Sequence, residues 1–425
     1  MTAILFVVLA IVVVASAASI VSKDKRSVTT GGVVTLPLKR NLKSASLDFT
    51  RPIQRRQEGA GLPASLQNHG TIFSIQVTIG SPGDNFQLLV DTGSADLWLP
   101  STECNSQLCG NSKFDIAKSN TFQTVYEDEP YEIQYGDGSS ATYDLCKDTV
   151  IIHGITATDQ FLGLAFNVSS SSSSQPEVGE KPPNDEPPKD NEIPVGLLGM
   201  AFQSISASKS PTFMDTAFQQ EQISQNIFSL YLPPVDGNDE AAIRDGEITL
   251  GGINLDRYTG IMTYAPLTNK TFWVFNVTGV TLGDAAIGVD GRKDGSTDGG
   301  GGGGRKSLDA IMDSGTTAIV LGDNDVKEFY SKSTDATAFL EKYWTFPCTS
   351  SHEIVITLAS GSRLSVPKDQ ASLGATDPNS DRCVSAIVGG GTDGEVLLGL
   401  SFMASHYVVF DKDNSRLGIA SATHS

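Results

Sequence analysis

Residues 89–94 read LVDTGS and residues 311–316 read IMDSGT, two near-copies of one short motif. Each copy has two apolar residues, an aspartate, a hydroxyl residue, a glycine and a second hydroxyl residue. The aspartates are Asp91 and Asp313. The copies are separated by far more sequence than one unit of a solenoid, so they indicate a duplicated domain.

A second pair of matching triplets supports the duplication. Leu-Leu-Gly occurs at residues 197–199 and again at residues 397–399, downstream of each aspartate. Two equivalent halves would each present one carboxylate to a shared cleft, and paired carboxylates can divide acid and base roles between them. The aspartate and the Leu-Leu-Gly triplet are further apart in the first half of the chain than in the second, and an inserted loop explains the difference.

The strand pattern predicts a β-rich protein. Short alternating or apolar stretches at residues 73–80, 86–90 and 407–410 are typical of strands, and residues 212–222 are the best helix candidate.

Two segments lack the apolar residues that a packed structure needs. Residues 168–192 contain a serine run followed by an acidic, proline-rich stretch, and residues 294–306 contain six consecutive glycines. Both are predicted to be insertions. The glycine run is not a phosphate loop, because no Gly-Lys-Ser/Thr ending follows it.

The amino terminus is typical of a secreted protein. An apolar run from Ile4 to Val14 precedes small residues, which predicts a signal peptide over residues 1–18. The run is too short to span a bilayer, although no basic residue precedes it and a membrane anchor is the alternative interpretation. The carboxyl terminus has no hydrophobic tail for a lipid anchor, so no membrane anchor is expected.

Residues 19–56 are predicted to be a basic pro-segment. They hold nine basic and two acidic residues, and the rest of the chain holds 21 basic and 47 acidic residues, a formal charge of −26. The segment is suited to lie across the acidic body until carboxylates protonate, and Arg55-Arg56 is a candidate processing site. The alternative is a solvated basic linker. Strong negative charge argues against a nucleic-acid partner.

Five cysteines in a secreted chain favour disulfides. Cys104 and Cys109 could close a small loop, Cys348 and Cys383 a larger one, and Cys146 is left as a free thiol or an intermolecular partner. No metal site is expected, because the chain has no CxxC motif and its histidines are scattered. Glycosylation triplets begin at three asparagines, Asn167, Asn269 and Asn276.

Together these features resemble the pepsin-type aspartic endopeptidases that fungi secrete or hold in vacuoles. The resemblance is carried by DTGSADLWLPS at 91–101, YGDGS at 135–139, the second aspartate motif and both Leu-Leu-Gly triplets. FSLYL at 228–232 and GEITLGG at 246–252 fit as well. It extends over about residues 66–421, and the first aspartate motif with its tryptophan is highly specific.

The resemblance implies an all-β fold of two related lobes around an active-site cleft. The amino-terminal lobe would span residues 57–255, and the carboxyl-terminal lobe residues 256–425. A β-hairpin flap tipped by Tyr135 to Ser139 would close over the substrate.

The resemblance also implies a role for each residue of the site. Asp91 and Asp313 would activate a water molecule by sharing one proton, since double ionisation of two close carboxyls is costly. The other predicted site residues are the flap and substrate-binding group (Tyr135, Gly136, Asp137, Gly93, Gly315, Thr316) and the supporting group (Thr92, Ser94, Trp98, Ser314).

Some positions depart from the family pattern. Tyr143 and Cys146 stand where glycines are usual, which leaves flap movement and substrate preference open. Val195 stands where aspartate is common, Phe73 where tyrosine is common, and Ser314 where threonine is commoner. None of these changes removes a catalytic group.

The expected function is an acid endopeptidase made as a zymogen, acting as a monomer on protein or peptide substrates without a cofactor. Secretion is expected, with the vacuole as the alternative destination. A catalytically silent, peptide-binding homologue and a purely structural β-protein are the competing interpretations. The first usually loses an aspartate or the flap tyrosine, and the second leaves the duplicated motif unexplained.

Overall fold

The computed structural model describes residues 32–42, 71–125, 129–136, 138–169, 195–234, 245–288, 307–340, 342–377 and 379–423. The predicted signal peptide, the Arg55-Arg56 site and the glycine-rich insertion lie outside the described residues. Only residues 32–42 of the predicted pro-segment, and only Val168 and Ser169 of the first insertion, are described.

The amino-terminal half is built almost entirely of strands. Its elements are β1 (Val34–Leu42), β2 (Thr71–Ile79), β3 (Asp84–Asp91), β4 (Leu97–Pro100), β5 (Gln123–Thr124), β6 (Tyr131–Gln134), β7 (Ser140–Ile152), β8 (Ile155–Ser169), β9 (Gly196–Gly199), α1 (Phe213–Gln219), β10 (Ile227–Tyr231) and β11 (Gly246–Leu250).

The carboxyl-terminal half repeats this character. Its elements are β12 (Tyr258–Pro266), β13 (Val274–Leu282), β14 (Ala285–Gly288), β15 (Leu308–Met312), β16 (Ile319–Gly322), α2 (Asp323–Ser331), β17 (Thr337–Leu340), β18 (Tyr343–Pro347), β19 (Ile354–Leu358), β20 (Arg363–Val366), β21 (Ser372–Ala375), β22 (Arg382–Ser385), β23 (Ile387–Gly391), β24 (Glu395–Leu398), α3 (Leu400–Met403), β25 (His406–Asp411) and β26 (Arg416–Ala422). The predicted all-β fold class is confirmed.

The predicted helix forms because its first turn is capped. Thr212 is the N-cap, and its side chain accepts a hydrogen bond from the Asp215 backbone N–H while the Asp215 carboxylate accepts one from the Thr212 N–H. This reciprocal arrangement satisfies amides that have no partner within the helix. The helix ends at Gln219, three residues before the predicted end.

Three sheets form the two lobes and the layer between them. The largest has the order β12-β26-β25-β10-β11-β1-β2-β3-β9-β4-β8-β7-β5, with β6 paired to β7. Its first six strands draw on both halves of the chain and join the lobes. The second lobe contains the sheet β20-β19-β13-β15-β24-β16-β23, with β14 paired to β13, and the smaller sheet β17-β18-β22-β21.

The duplicated sequence motif corresponds to a duplicated strand arrangement. β9 lies between β3, to which it is parallel, and β4, to which it is antiparallel. β24 lies in the same way between β15 and β16. Each Leu-Leu-Gly triplet therefore runs beside the strand that leads into an aspartate, which explains why both motifs are repeated together.

Strand β1 lies inside the predicted pro-segment yet occupies the layer between the lobes. It pairs with β11 from Val34 to Leu38 and with β2 from Lys39 to Leu42. Val34, Leu36 and Leu38 are buried. Backbone pairing and apolar burial therefore hold this segment, in addition to the charge contrast that the sequence suggested.

Candidate active site

Asp91 and Asp313 occupy equivalent loops at the ends of equivalent strands. The Gly93 N–H donates to Asp91 Oδ1 at 2.8 Å and the Ser94 hydroxyl to Oδ2 at 2.5 Å. Asp313 Oδ1 accepts from the Gly315 N–H at 2.8 Å, and its Oδ2 from the Thr316 hydroxyl at 2.5 Å. Each carboxyl is therefore fixed by two donors from its own loop.

The two glycines of the motif let the loops approach each other. A Cβ placed on Gly93 would lie 2.6 Å from Asp313 Oδ1, and one on Gly315 would lie 2.7 Å from Asp91 Oδ1. Any side chain at either position would push the opposite carboxyl away. The structure thus brings the two predicted aspartates together, each against the glycine of the other loop.

Burial and proximity make this pair hard to ionise completely. Burial, and then the neighbouring charge of Asp313, raise the pKa of Asp91 to about 7, against the lowering effect of its hydrogen bonds from Ser94 and Gly93. A hydrogen bond with Asp313 contributes in the same direction to the pKa of Asp91. The pair therefore retains a proton across the acidic pH range, and that proton belongs to both carboxyls.

Thr92 and Ser314 tie the two loops together beneath the carboxyls. The Thr92 N–H donates to Ser314 Oγ at 3.1 Å, and the Ser314 N–H donates to Thr92 Oγ1 at 2.9 Å. The Thr92 hydroxyl donates to the Met312 carbonyl at 3.0 Å, and the Ser314 hydroxyl to the Val90 carbonyl at 2.8 Å. Serine supplies the same donor and acceptor as threonine at this place.

Trp273 is a further contact between the lobes that sequence reasoning missed. Its indole N–H donates to the Met200 carbonyl at 3.2 Å, and its own carbonyl accepts from the Met312 N–H at 3.2 Å. Met200 in turn donates its N–H to the Asp91 carbonyl at 2.8 Å. The indole is fully buried among aromatic rings, so nothing in the local sequence distinguishes it from an ordinary core residue.

The predicted flap is the hairpin of β6 and β7. A tight turn joins the strands, with the Tyr135 N–H donating to the Ser139 carbonyl and the Gly138 N–H donating to the Tyr135 carbonyl, both at 2.9 Å. The buried Trp98 donates its indole N–H to the Tyr135 hydroxyl at 2.7 Å. Tyr135 and Gly136 both line the cleft, and Asp137 lies outside the described residues.

Tyr143, one of the departures from the family pattern, gives the flap a second attachment. Its hydroxyl donates to Asp96 Oδ1 at 2.9 Å, and its ring stacks on Tyr131 at 5.7 Å. Gly163 makes room for this ring, since a Cβ there would lie 2.4 Å from it. Burial and the Asp96 charge raise the pKa of the Tyr143 hydroxyl, which therefore stays protonated as a donor.

The cleft between the lobes is a cavity of about 520 Å³. Both aspartates line it, together with Gly93, Gly315 and Thr316. Much of the remaining wall is apolar, including Ile72, Phe272 and Val320. Glu395 is the one carboxylate besides the aspartate pair among the described residues that line it. A mostly apolar cleft with a few convergent polar groups is a candidate binding site.

The cysteines and asparagines singled out in the sequence are not among the described residues that line the cleft. Disulfides join Cys104 to Cys109 and Cys348 to Cys383, and Cys146 is a buried free thiol. Asn167 and Asn269 are exposed and Asn276 is half-buried. Among the described residues, no group of three or more His, Cys, Asp or Glu side chains could hold a metal ion.

Comparison with known proteins identifies the family. A family model described as eukaryotic aspartyl protease matches residues 72–422. An aspartic protease of Phaffia rhodozyma is 28% identical over 97% of each chain. Pepsin A of Suncus murinus is 30% identical over 90% of this chain and 88% of that protein. Rhizopuspepsin-4 of Rhizopus niveus is 31% identical over 86% of this chain and 81% of that protein.

The fold and the paired carboxyls define an aspartic-type endopeptidase of the pepsin kind. The chain belongs to the eukaryotic aspartyl protease family. The predicted family and bilobal all-β fold are confirmed.

Proposed function

We propose that the chain hydrolyses peptide bonds at acidic pH with a water molecule held between Asp91 and Asp313. The observation that carries the proposal is the symmetry of the pair. Each carboxyl accepts one backbone and one hydroxyl hydrogen bond and lies against the glycine of the opposite loop. Paired carboxyls that share a proton are the established arrangement of aspartic proteases.

The shared proton divides the chemistry between the two groups. The ionised carboxylate takes a proton from water as the oxygen attacks the peptide carbonyl, and the protonated carboxyl donates to the carbonyl oxygen. The raised pKa of Asp91 supports a pair that keeps one proton at acidic pH. The flap, with Tyr135 hydrogen-bonded to Trp98, would cover the substrate and exclude water from the reacting bond.

Digestion of denatured haemoglobin at acidic pH, with and without pepstatin, tests this proposal. We expect pepstatin-sensitive cleavage by the processed enzyme. The competing function is a silent homologue that binds peptides, and it would bind pepstatin without cleaving haemoglobin. The intact aspartate pair and the Trp98–Tyr135 bond favour the enzyme.

We also propose that the enzyme is made as a zymogen with residues 19–56 as its pro-segment. β1 supports this, because its final residues pair with Ile72 and Phe73, which line the cleft. The chain that follows β1 therefore starts beside the cleft. Acidification would weaken the attraction between the basic segment and the acidic body as carboxylates protonate.

Maturation is tested by amino-terminal sequencing of protein held at neutral and then acidic pH, with activity followed in parallel. We expect residues 19–56 to be removed as activity appears, with cleavage at or near Arg55-Arg56. Full activity at acidic pH with residues 19–56 still attached would contradict the zymogen proposal.

We also propose that the protein is secreted, with vacuolar retention as the alternative, and that it acts as a monomer. Two disulfides and relatives such as pepsin A support a compartment outside the cytosol. The helices of the described residues have nine residues or fewer, far short of a bilayer span of about 20 residues. Glycans on Asn167 and Asn269 would project from exposed positions.

A further inference from the structure

Glu395 is a charged residue in the cleft wall with no role in the chemistry above. It is half-buried at the start of β24 and lines the cavity together with Ile311 and Leu397. No described residue forms an ion pair or side-chain hydrogen bond with its carboxylate. A partly desolvated carboxylate without a partner is costly, and a cationic group of a ligand would relieve that cost.

The sheet register fixes the direction of this side chain. Side chains of a strand point alternately to opposite faces. On β24, Glu395 and Leu397 alternate with the buried Val396 and Leu398. Leu397 pairs with Ile311 of the neighbouring parallel strand, and both line the cleft. Glu395 therefore shares the face of the sheet that substrate contacts.

The neighbour of Glu395 on this face is also acidic. Asp309 pairs directly with Glu395 across β15 and β24, and it is exposed. Like charges on neighbouring strands repel each other. This face is therefore apolar at Ile311 and Leu397. It becomes negative at the next pair, Asp309 and Glu395, which lies further from the catalytic loop.

The distance along the strand locates the contact on a substrate. Asp309 precedes Asp313 by four residues, so this pair lies roughly 13 Å from the catalytic loop at about 3.3 Å per residue. An extended substrate advances by the same amount per residue. Glu395 would therefore contact a side chain about two to four residues from the scissile bond.

We propose that Glu395 is a specificity-determining residue that selects a lysine or arginine side chain of the substrate in this part of the cleft. The inference rests on the proposed peptidase function and adds a substrate class to it. The apolar wall at Ile311 and Leu397 would contact the aliphatic stem of such a side chain, while the Glu395 carboxylate accepts from its charged end.

The test compares two peptide series with the processed wild-type enzyme. In one series a single lysine is moved through each position on both sides of the cleaved bond, and in the other norleucine replaces it. We expect one position, two to four residues from the bond, where lysine raises kcat/KM by about three- to tenfold over norleucine at about pH 5.5.

Variants then assign the preference to Glu395. Glu395→Gln should abolish the lysine preference, so that lysine and norleucine peptides are cleaved with similar kcat/KM, and Glu395→Lys should reverse it. Glu328→Gln, on the exposed face of α2 outside the cleft, is the matched control and should keep the preference.

Each outcome bears on one of the two proposals. Equal cleavage of both series at every position, or a lysine preference that survives Glu395→Gln, would overturn the role of Glu395 while leaving the peptidase proposal intact. Failure of the processed wild-type enzyme to cleave either series would overturn the proposed function, and the inference with it.

Discussion

The side chains of Thr92 and Ser314 bind each other's backbone N–H groups across the two lobes, at 2.9 Å and 3.1 Å. Each hydroxyl also donates to a carbonyl that precedes the opposite aspartate. Both side chains are almost completely buried. The positions of the Asp91 and Asp313 carboxyls are therefore set partly by the other half of the chain.

These mutual hydrogen bonds predict that the loss of a single hydroxyl group will lower the stability of the fold substantially. Ser314→Ala would leave the Thr92 N–H and the Val90 carbonyl without their partner, which should lower the free energy of unfolding by about 2–4 kcal/mol. Thermal or denaturant unfolding measures the loss. Ser314→Thr keeps the hydroxyl group and matches Thr92 of the other loop, so its free energy of unfolding should stay close to that of wild type. Equal stability of the alanine variant and wild type would contradict the shared role.

A methyl group at the centre of the site should be more damaging to activity than to folding. A Cβ on Gly315 would lie 2.7 Å from Asp91 Oδ1 and 3.2 Å from Asp313 Oδ1. Gly315→Ala should therefore displace the pair and lower kcat/KM by roughly 100-fold or more. In the matched control, Gly279→Ala, the new Cβ would meet nothing closer than 3.5 Å, and activity should persist. Similar kcat/KM values for the two variants would exclude the close approach.

Tyr143 should contribute to stability through its hydroxyl group. Tyr143→Phe removes one of the donors to the buried Asp96 carboxylate, whose other donors are the Ser206 hydroxyl and the Ala207 N–H. We expect a loss of about 1.5–3 kcal/mol in the free energy of unfolding. Tyr131→Phe keeps the stacked ring and removes a hydroxyl without a described partner, so it should have little effect. Equal losses in both variants would argue against the Tyr143–Asp96 bond.

The raised pKa of Asp91 predicts how stability depends on pH. The ordinary pKa of an aspartate is 3.8 and that of folded Asp91 is about 7. Between these values the folded protein binds more protons than the unfolded protein, so rising pH destabilises the fold through this group. Asp91→Asn removes that dependence, and should gain about 2–4 kcal/mol relative to wild type as pH rises from about 4 to about 7.

Denaturant unfolding of both proteins at a series of pH values measures this difference. At each pH the free energy of unfolding of wild type is subtracted from that of Asp91→Asn. This subtraction cancels the contribution of groups that titrate alike in both proteins, such as the buried His406, whose pKa is lowered to about 4 by burial. A constant difference from pH 4 to pH 7 would show that the fold does not hold a proton on the Asp91–Asp313 pair.

Much of this architecture could be predicted from the chain alone because it is duplicated. The aspartate motifs and the Leu-Leu-Gly triplets occur twice, and each pair lies side by side in adjacent parallel strands. The helix after Thr212 could be predicted from the apolar residues that recur at Phe213, Ala217 and Phe218. Those features depend on residues close together in sequence or on a repeated motif.

Features that depend on distant partners could not be predicted. Trp273 joins the lobes through the Met200 and Met312 backbones, which no local pattern indicates. Tyr143 is accommodated only because residue 163 is a glycine on the next strand. β1 lies in the predicted pro-segment, whose basic charge indicates that it can detach from the acidic body. The burial of its apolar residues between β2 and β11 could not be predicted from that charge.

The central claim is that Asp91 and Asp313 act as one unit, and its most direct test is kcat/KM for a peptide substrate at acidic pH. Wild type, Asp91→Asn and Asp313→Asn are compared after removal of residues 19–56, with circular dichroism to show that all three are folded. Each variant has lost half of a pair that shares one proton, so we expect both to fall by roughly 1,000-fold or more. Turnover by either folded variant within about tenfold of wild type would contradict the account.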